Sequence, residues 1–86
     1  MSTLSTSEIL AGVRACMQAA LKLSDGDTAG VSLETTAAQL PGWTSMAHLE
    51  LVLAIENRFG VMFEAEEIAD LASVIKITDV LARHQA

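Results

Sequence analysis

Basic residues are scarce in this chain: five against eleven acidic ones, a net charge of −6 over 86 residues. A nucleic-acid binder neutralises phosphates with a basic patch, and no Lys/Arg cluster exists here. An acidic surface favours basic partners and discourages binding to anionic membranes. Aromatics are scarce too: Trp43, Phe59 and Phe63 are the only ones. The core must therefore be aliphatic, built from Leu, Ile, Val, Met and Ala, which are mostly good helix formers. No apolar run approaches the roughly 20 residues that span a bilayer. The segment Met1-Ser2-Thr3-Leu4-Ser5-Thr6-Ser7 lacks the basic start and apolar stretch of a signal peptide. The lone Cys16 excludes an internal disulfide. Together these absences point to the cytoplasm. The length allows one core, read as a flexible tail over 1–5 and a single domain over 6–86.

What is present reads as helix. Ser5-Thr6-Ser7-Glu8 fits a capping box, in which a hydroxyl and a carboxylate three residues apart satisfy each other's backbone donors. Ile9, Leu10, Val13, Cys16, Met17, Ala20 and Leu21 then recur at helical spacing, predicting an amphipathic helix to about Leu23. Ser24-Asp25-Gly26-Asp27 stops it. Residues 24–44 lack clear periodicity. Val31, Leu33 and Leu40 would anchor this loop, a short helical turn fits near 35–39, and Pro41-Gly42 closes it. A second long helix runs from Ser45 to Phe59 and stops at Gly60. Glu64 to Leu71 reads as a short third helix with an acidic first turn, which suits the helix dipole. Ser73 caps a last helix through Val74, Ile77, Val80 and Leu81. The expected fold is all-α: a four-helix bundle with a long loop between helices 1 and 2 and a short third helix.

The Ser45–Phe59 helix carries two apolar stripes. At about 100° per residue, Leu51, Val52, Ile55 and Phe59 share one side. Met46, Leu49 and Leu53 form a second stripe roughly opposite, flanked by Glu50, Glu56 and Asn57. Full burial of both stripes is hard to arrange in so small a domain. The second stripe is therefore read as a docking surface with an acidic rim, suited to a basic, concave partner. The competing reading is that the long loop folds back over it.

Gly42-Trp43-Thr44-Ser45-Met46 puts a serine at the start of that helix. Serine is a common N-cap, which is the plain explanation. The same position also offers unpartnered backbone N–H groups and the positive end of the dipole, where a phosphodiester would be welcome.

Gly42-Trp43-Thr44-Ser45-Met46-Ala47-His48-Leu49-Glu50-Leu51 resembles the acyl carrier signature, Gly-x-Asp-Ser-Leu-x-x-x-Glu-Leu. Val52-Leu53-Ala54-Ile55-Glu56-Asn57-Arg58-Phe59-Gly60-Val61 is similar to that family's helix-ending Leu-Glu-x-x-Phe-Gly-Ile segment. Glu64 to Leu71 and Ser73-Val74 are similar to its acidic third helix and the start of its fourth. The resemblance covers nearly the whole chain and is strongest from 40 to 82. It implies a four-helix bundle that carries acyl, aminoacyl or peptidyl groups as thioesters and performs no catalysis itself. The cofactor would be 4′-phosphopantetheine, transferred from coenzyme A onto Ser45. The implied partners are a phosphopantetheinyl transferase, an acyl- or aminoacyl-loading ligase, and downstream synthase or transferase enzymes. They would meet a monomer at Thr44, Met46, Leu49, Glu50, Leu53 and Glu56. Thr44 departs from the family's Asp, Met46 from its Leu, and Ala47 and Asn57 from acidic positions of fatty-acid carriers. These departures lean towards polyketide, nonribosomal peptide or related aminoacyl pathways. A carrier-like interaction module without an arm is the alternative, with Thr44 as its best support.

Other residues have plainer readings. His48 lies one turn after Ser45 but has no visible orienting group, so packing or hydrogen bonding suits it better than catalysis. His84 sits near a helix C-terminus, where it favours the dipole. Two separated histidines do not make a zinc site. Cys16 falls in the apolar stripe of the first helix and reads as a buried, inert thiol. Trp43 reads as a packing residue. Glu64, Glu66, Glu67 and Asp70 read as a solvated acidic face.

Overall fold

The structure is a computed structural model and describes residues 4–40 and 42–85, without the side chain of Gln85. It is all-α. The described residues form α1 (Thr6–Leu21), α2 (Asp25–Ala29), a 3₁₀ turn (Ala37–Gln39), α3 (Ser45–Phe59), α4 (Ala65–Ala69) and α5 (Val74–Gln85). No helix among them is long and apolar enough to cross a membrane.

The capping box expected at the first helix is formed. Ser5 Oγ accepts the Glu8 N–H at 3.2 Å, and the Glu8 carboxylate accepts the Ser5 N–H at 2.9 Å. Of the tail expected over 1–5, residues 1–3 lie outside the described residues, while Ser5 is the N-cap of α1. α1 ends two residues earlier than its periodicity predicts. Lys22 turns into the left-handed region at φ 56°, and the Leu23 N–H folds back to the Gln18 carbonyl at 3.1 Å.

The segment read as a helix stop is itself helical. Ser24 Oγ accepts the Asp27 N–H at 3.1 Å and starts α2. Five residues are too few to show a periodicity, and Gly26 within them is a poor helix former. The loop beyond is pinned at both ends. Arg14 Nε donates to the Val31 carbonyl at 2.7 Å, and Val31 is buried. An isolated antiparallel bridge joins Thr36 to Ser73, with Ala37 N–H to Ala72 O at 2.8 Å and Val74 N–H to Thr35 O at 2.9 Å. The helical turn expected near 35–39 is the 3₁₀ turn Ala37–Gln39. Of the Pro41-Gly42 turn, Pro41 lies outside the described residues; the Trp43 N–H reaches the Leu40 carbonyl at 3.0 Å.

α1 packs against α3 and α5. The core centres on Val13 and Met17 of α1, Leu51 and Ile55 of α3, Leu71, and Val74, Ile77, Val80 and Leu81 of α5, and it is not wholly aliphatic, because Trp43 and Phe63 are buried in it as well. Each such side chain contributes about 1.5–3 kcal/mol by leaving water. α3 ends at Gly60, whose φ of 66° takes the left-handed region without a Cβ penalty. α4 is shorter than the Glu64–Leu71 span read from the sequence, because Asp70 already ends it. Ser73 Oγ lies 3.4 Å from the Lys76 N–H at the start of α5.

The α1–α3 contact depends on Gly12. A Cβ there would lie 2.5 Å from Phe59 Cζ and 3.0 Å from Arg58 Nε. Gly12→Ala gains about 1 kcal/mol of helix propensity, but the forced overlap costs about 1–3 kcal/mol. Net destabilisation is expected in urea melts, and Phe59→Leu in the Gly12→Ala background should recover part of it.

Two glutamates make the fold acid-sensitive. The Ser5 backbone N–H and hydroxyl hold the Glu8 carboxyl below its ordinary value. The Glu64 backbone N–H does the same for Glu67, assisted by His84. A lowered folded-state value means that the contribution is present above the ordinary glutamate range and lost as pH falls below that range through the lowered folded-state value. Thermal melts from pH 7 to pH 3 should show a shallower acid limb for Glu8→Gln and Glu67→Gln than for the native chain.

Candidate functional site

The first turn of α3 organises the site. Thr44, in extended conformation, is the N-cap: its Oγ1 accepts the Ala47 N–H at 3.2 Å, and its carbonyl accepts the His48 N–H at 2.8 Å. Ser45, considered as a cap from the sequence, is instead the first helical residue, and its side chain is exposed. With the cap supplied by Thr44, the Ser45 hydroxyl is not committed to capping. The N–H groups of Ser45 and Met46 have no acceptor within the helix, because no turn precedes them. Exposed hydroxyl, unpartnered amides and the positive dipole end coincide at one point.

Trp43 and His48 fix this turn to the rest of the molecule. The indole Nε1–H donates to His48 Nδ1 at 2.9 Å, and the rings stack at a centroid distance of 6.1 Å. An indole N–H can only donate, so Nδ1 accepts and the imidazole proton sits on Nε2. Nε2 lies 3.0 Å from the Ile68 carbonyl of α4 and donates to it. Trp43 is only 7% exposed, in keeping with a packing role, and His48 is half-buried on the core side of α3.

Beside Ser45 lies an open groove of about 440 Å³. Trp43, Ser45, His48 and Leu49 line one side, and Ile68, Ala69 and Ala72 face them. The α4 side of this groove was not legible in the sequence. Its residues are apolar or small, and only folding brings them within reach of a serine more than twenty positions earlier.

The second apolar stripe of α3 is uncovered. Met46, Leu49 and Leu53 are 73%, 59% and 60% exposed. The loop does not fold back over them; its hydrogen bonds to Arg14 and to residues 72–74 hold it elsewhere. Glu50 and Asn57 are exposed on the flanks. Glu56 differs: it is half-buried, and its Oε2 accepts the Phe63 N–H at 2.8 Å, tying the chain after α3 back to the helix. Met62, not singled out in the sequence, is 83% exposed in that connection.

Cys16 is buried, and burial pushes its thiol up. His84 Nε2 lies 3.1 Å from Glu67 Oε1, so it bridges α5 to α4, and Glu67 is not merely solvated. Among the described residues no group of three or more His, Cys, Asp or Glu side chains converges as metal ligands would. No protein-family model matches the chain, and no curated protein matches it.

The cap assignment is testable. Thr44→Ala should cost about 1 kcal/mol in chemical denaturation, whereas Thr44→Asp and Thr44→Ser should hold near-native stability. Equal losses in all three variants would remove Thr44 from the cap.

Proposed function

We propose that this chain is a carrier of the acyl/peptidyl carrier type, bearing a 4′-phosphopantetheine arm on Ser45. The observation that carries this reading is an exposed Ser45 hydroxyl on the first turn of α3, beside an uncovered apolar stripe. In this reading α1, α3, α4 and α5 are the four helices of the bundle, and α2 belongs to the long connection.

The residues fit the arm. Ser45 Oγ would hold the phosphopantetheinyl group as a phosphodiester, transferred from coenzyme A with adenosine 3′,5′-bisphosphate as the leaving group and the serine proton passing to the transferase. Ser45 sits at the α3 N-terminus, where free amides and the dipole would favour the anion of an attached phosphodiester. When bound, the arm supplies a thiol that holds cargo as a thioester. The groove beside Ser45 gives the arm an apolar wall to lie against. Thr44 performs the capping that the family's Asp could also perform, so this departure leaves the start of the helix intact.

Met46, Leu49 and Leu53, with Glu50 at their edge, form the surface for the transferase, the acyl- or aminoacyl-loading ligase and later synthases or transferases. Apolar contact supplies affinity, and the acidic rim selects partners with basic patches. The chain acts as a cytoplasmic monomer that catalyses nothing itself. The departures at Ala47 and Asn57 favour polyketide, nonribosomal peptide or aminoacyl pathways over fatty-acid synthesis. A second reading, an interaction module without an arm, draws on the uncharged Thr44 next to the same exposed stripe.

Incubation with coenzyme A and a broad-range transferase should raise the mass by one phosphopantetheinyl group, and Ser45→Ala should abolish the gain without unfolding the chain. An unmodified native chain under those conditions would leave the interaction module standing. Leu49→Glu and Leu53→Glu should slow modification at least tenfold while changing stability by about 0.5 kcal/mol or less. A collapse in stability would show that these side chains are buried.

A further inference from the structure

The groove beside Ser45 has one wall, α4, that reaches the hydrophobic core through Ile68 and through Phe63 and Leu71 at its flanks. None of the five residues of α4 is buried, and Ile68 is half-buried. Two histidines tie this short helix, one from α3 and one from α5. His84 of α5 bonds the Glu67 carboxylate at 3.1 Å, and His48 of α3 bonds the Ile68 carbonyl at 3.0 Å. The two ties are not alike. The His84 contact joins partly exposed side chains, where water competes for both groups. The His48 contact lines the groove itself, and its geometry is fixed by a third group, the Trp43 indole.

We propose that Trp43, His48 and the Ile68 carbonyl form a latch that holds α4 as a movable wall of the groove. The latch works through the two nitrogens of one ring. Nδ1 accepts from Trp43, which orients the imidazole and places its proton on Nε2; Nε2 then donates across to α4. Ile68 O also accepts the Leu71 N–H at 3.3 Å, so the latch is seated on the last turn of α4. When His48 releases Ile68, α4 keeps its tie to His84, the contacts of Ile68 and the buried Phe63 and Leu71 that flank it as pivots, and the wall between those two anchors opens from the groove. His48 is thus a positioning residue for the Ser45 site, acting through α4 and not on a reacting atom. The latch stands apart from the carrier reading; its use, admitting an arm or cargo beside Ser45, rests on that reading.

Two substitutions separate the halves of the latch. The side-chain oxygen of Asn reaches about as far as Nδ1, and the side-chain nitrogen of Gln about as far as Nε2. His48→Asn therefore keeps the bond to Trp43 and loses the one to Ile68; His48→Gln does the reverse. Amide hydrogen exchange at Ile68, Asp70 and Leu71, read by NMR on the intact chain, should be about tenfold faster in His48→Asn and near native in His48→Gln. Fluorescence of Trp43, the only tryptophan, should shift in His48→Gln and stay near native in His48→Asn. Native exchange at α4 in His48→Asn, or the same response from both variants, overturns the latch. Should both variants unfold, the native chain still decides: long-range proton–nitrogen correlation must show His48 protonated on Nε2, and protonation on Nδ1 alone overturns it. A chain that takes no arm at Ser45 sinks the carrier reading and leaves these measurements valid.

Discussion

The geometry around Ser45 depends on one hydrogen bond, from the Ala47 N–H to Thr44 Oγ1. It ends the loop, sets the first helical residue of α3, and fixes the angular position of every side chain after it. With the helix started there, Leu51, Val52 and Ile55 point into the bundle, and Met46, Leu49 and Leu53 point away. A start displaced by one residue would rotate both stripes by about 100° relative to the first turn. The same bond leaves the Ser45 hydroxyl without a capping duty. Threonine before the serine is thus a neutral residue performing work that an acidic side chain could also perform.

The loop decides whether the outer stripe of α3 is available. Its anchors run to Arg14 on one side and to residues 72–74 on the other. A segment held at both places cannot also cover Met46, Leu49 and Leu53. Exposed apolar area of this kind is costly to a solitary protein and useful to one with partners, and this supports the proposed carrier role. α4 complements that arrangement: polar ties from two histidines stand where most helices bury a side chain. α4, which lines the groove beside Ser45, buries none of its own residues and is anchored through Ile68 and the flanking Phe63 and Leu71.

Much of the fold was legible because local rules and burial agree. The Ser5–Glu8 capping box, the apolar repeat of α1, the Gly60 stop and the start of α5 after Ser73 all follow from short-range chemistry. α2 was not legible, since a five-residue helix capped by Ser24 has no room for a repeat. The ends of α1 and α4 were overrun because apolar periodicity continues past the residues, Lys22 and Asp70, at which the backbone turns.

Sequence by itself determined the all-α class, a core that is aliphatic apart from Trp43 and Phe63, and the two stripes of α3, each set by residue type and spacing along one element. Ser45 was singled out by a family resemblance and not by spacing alone. Only the tertiary structure decided which stripe is covered, that Thr44 rather than Ser45 is the cap, that Glu56 is bound to the Phe63 amide, and that His48 reaches Ile68. These depend on where a loop is pinned and on which backbone carbonyl arrives beside a ring. A carbonyl looks the same in every residue, so no sequence pattern announces it.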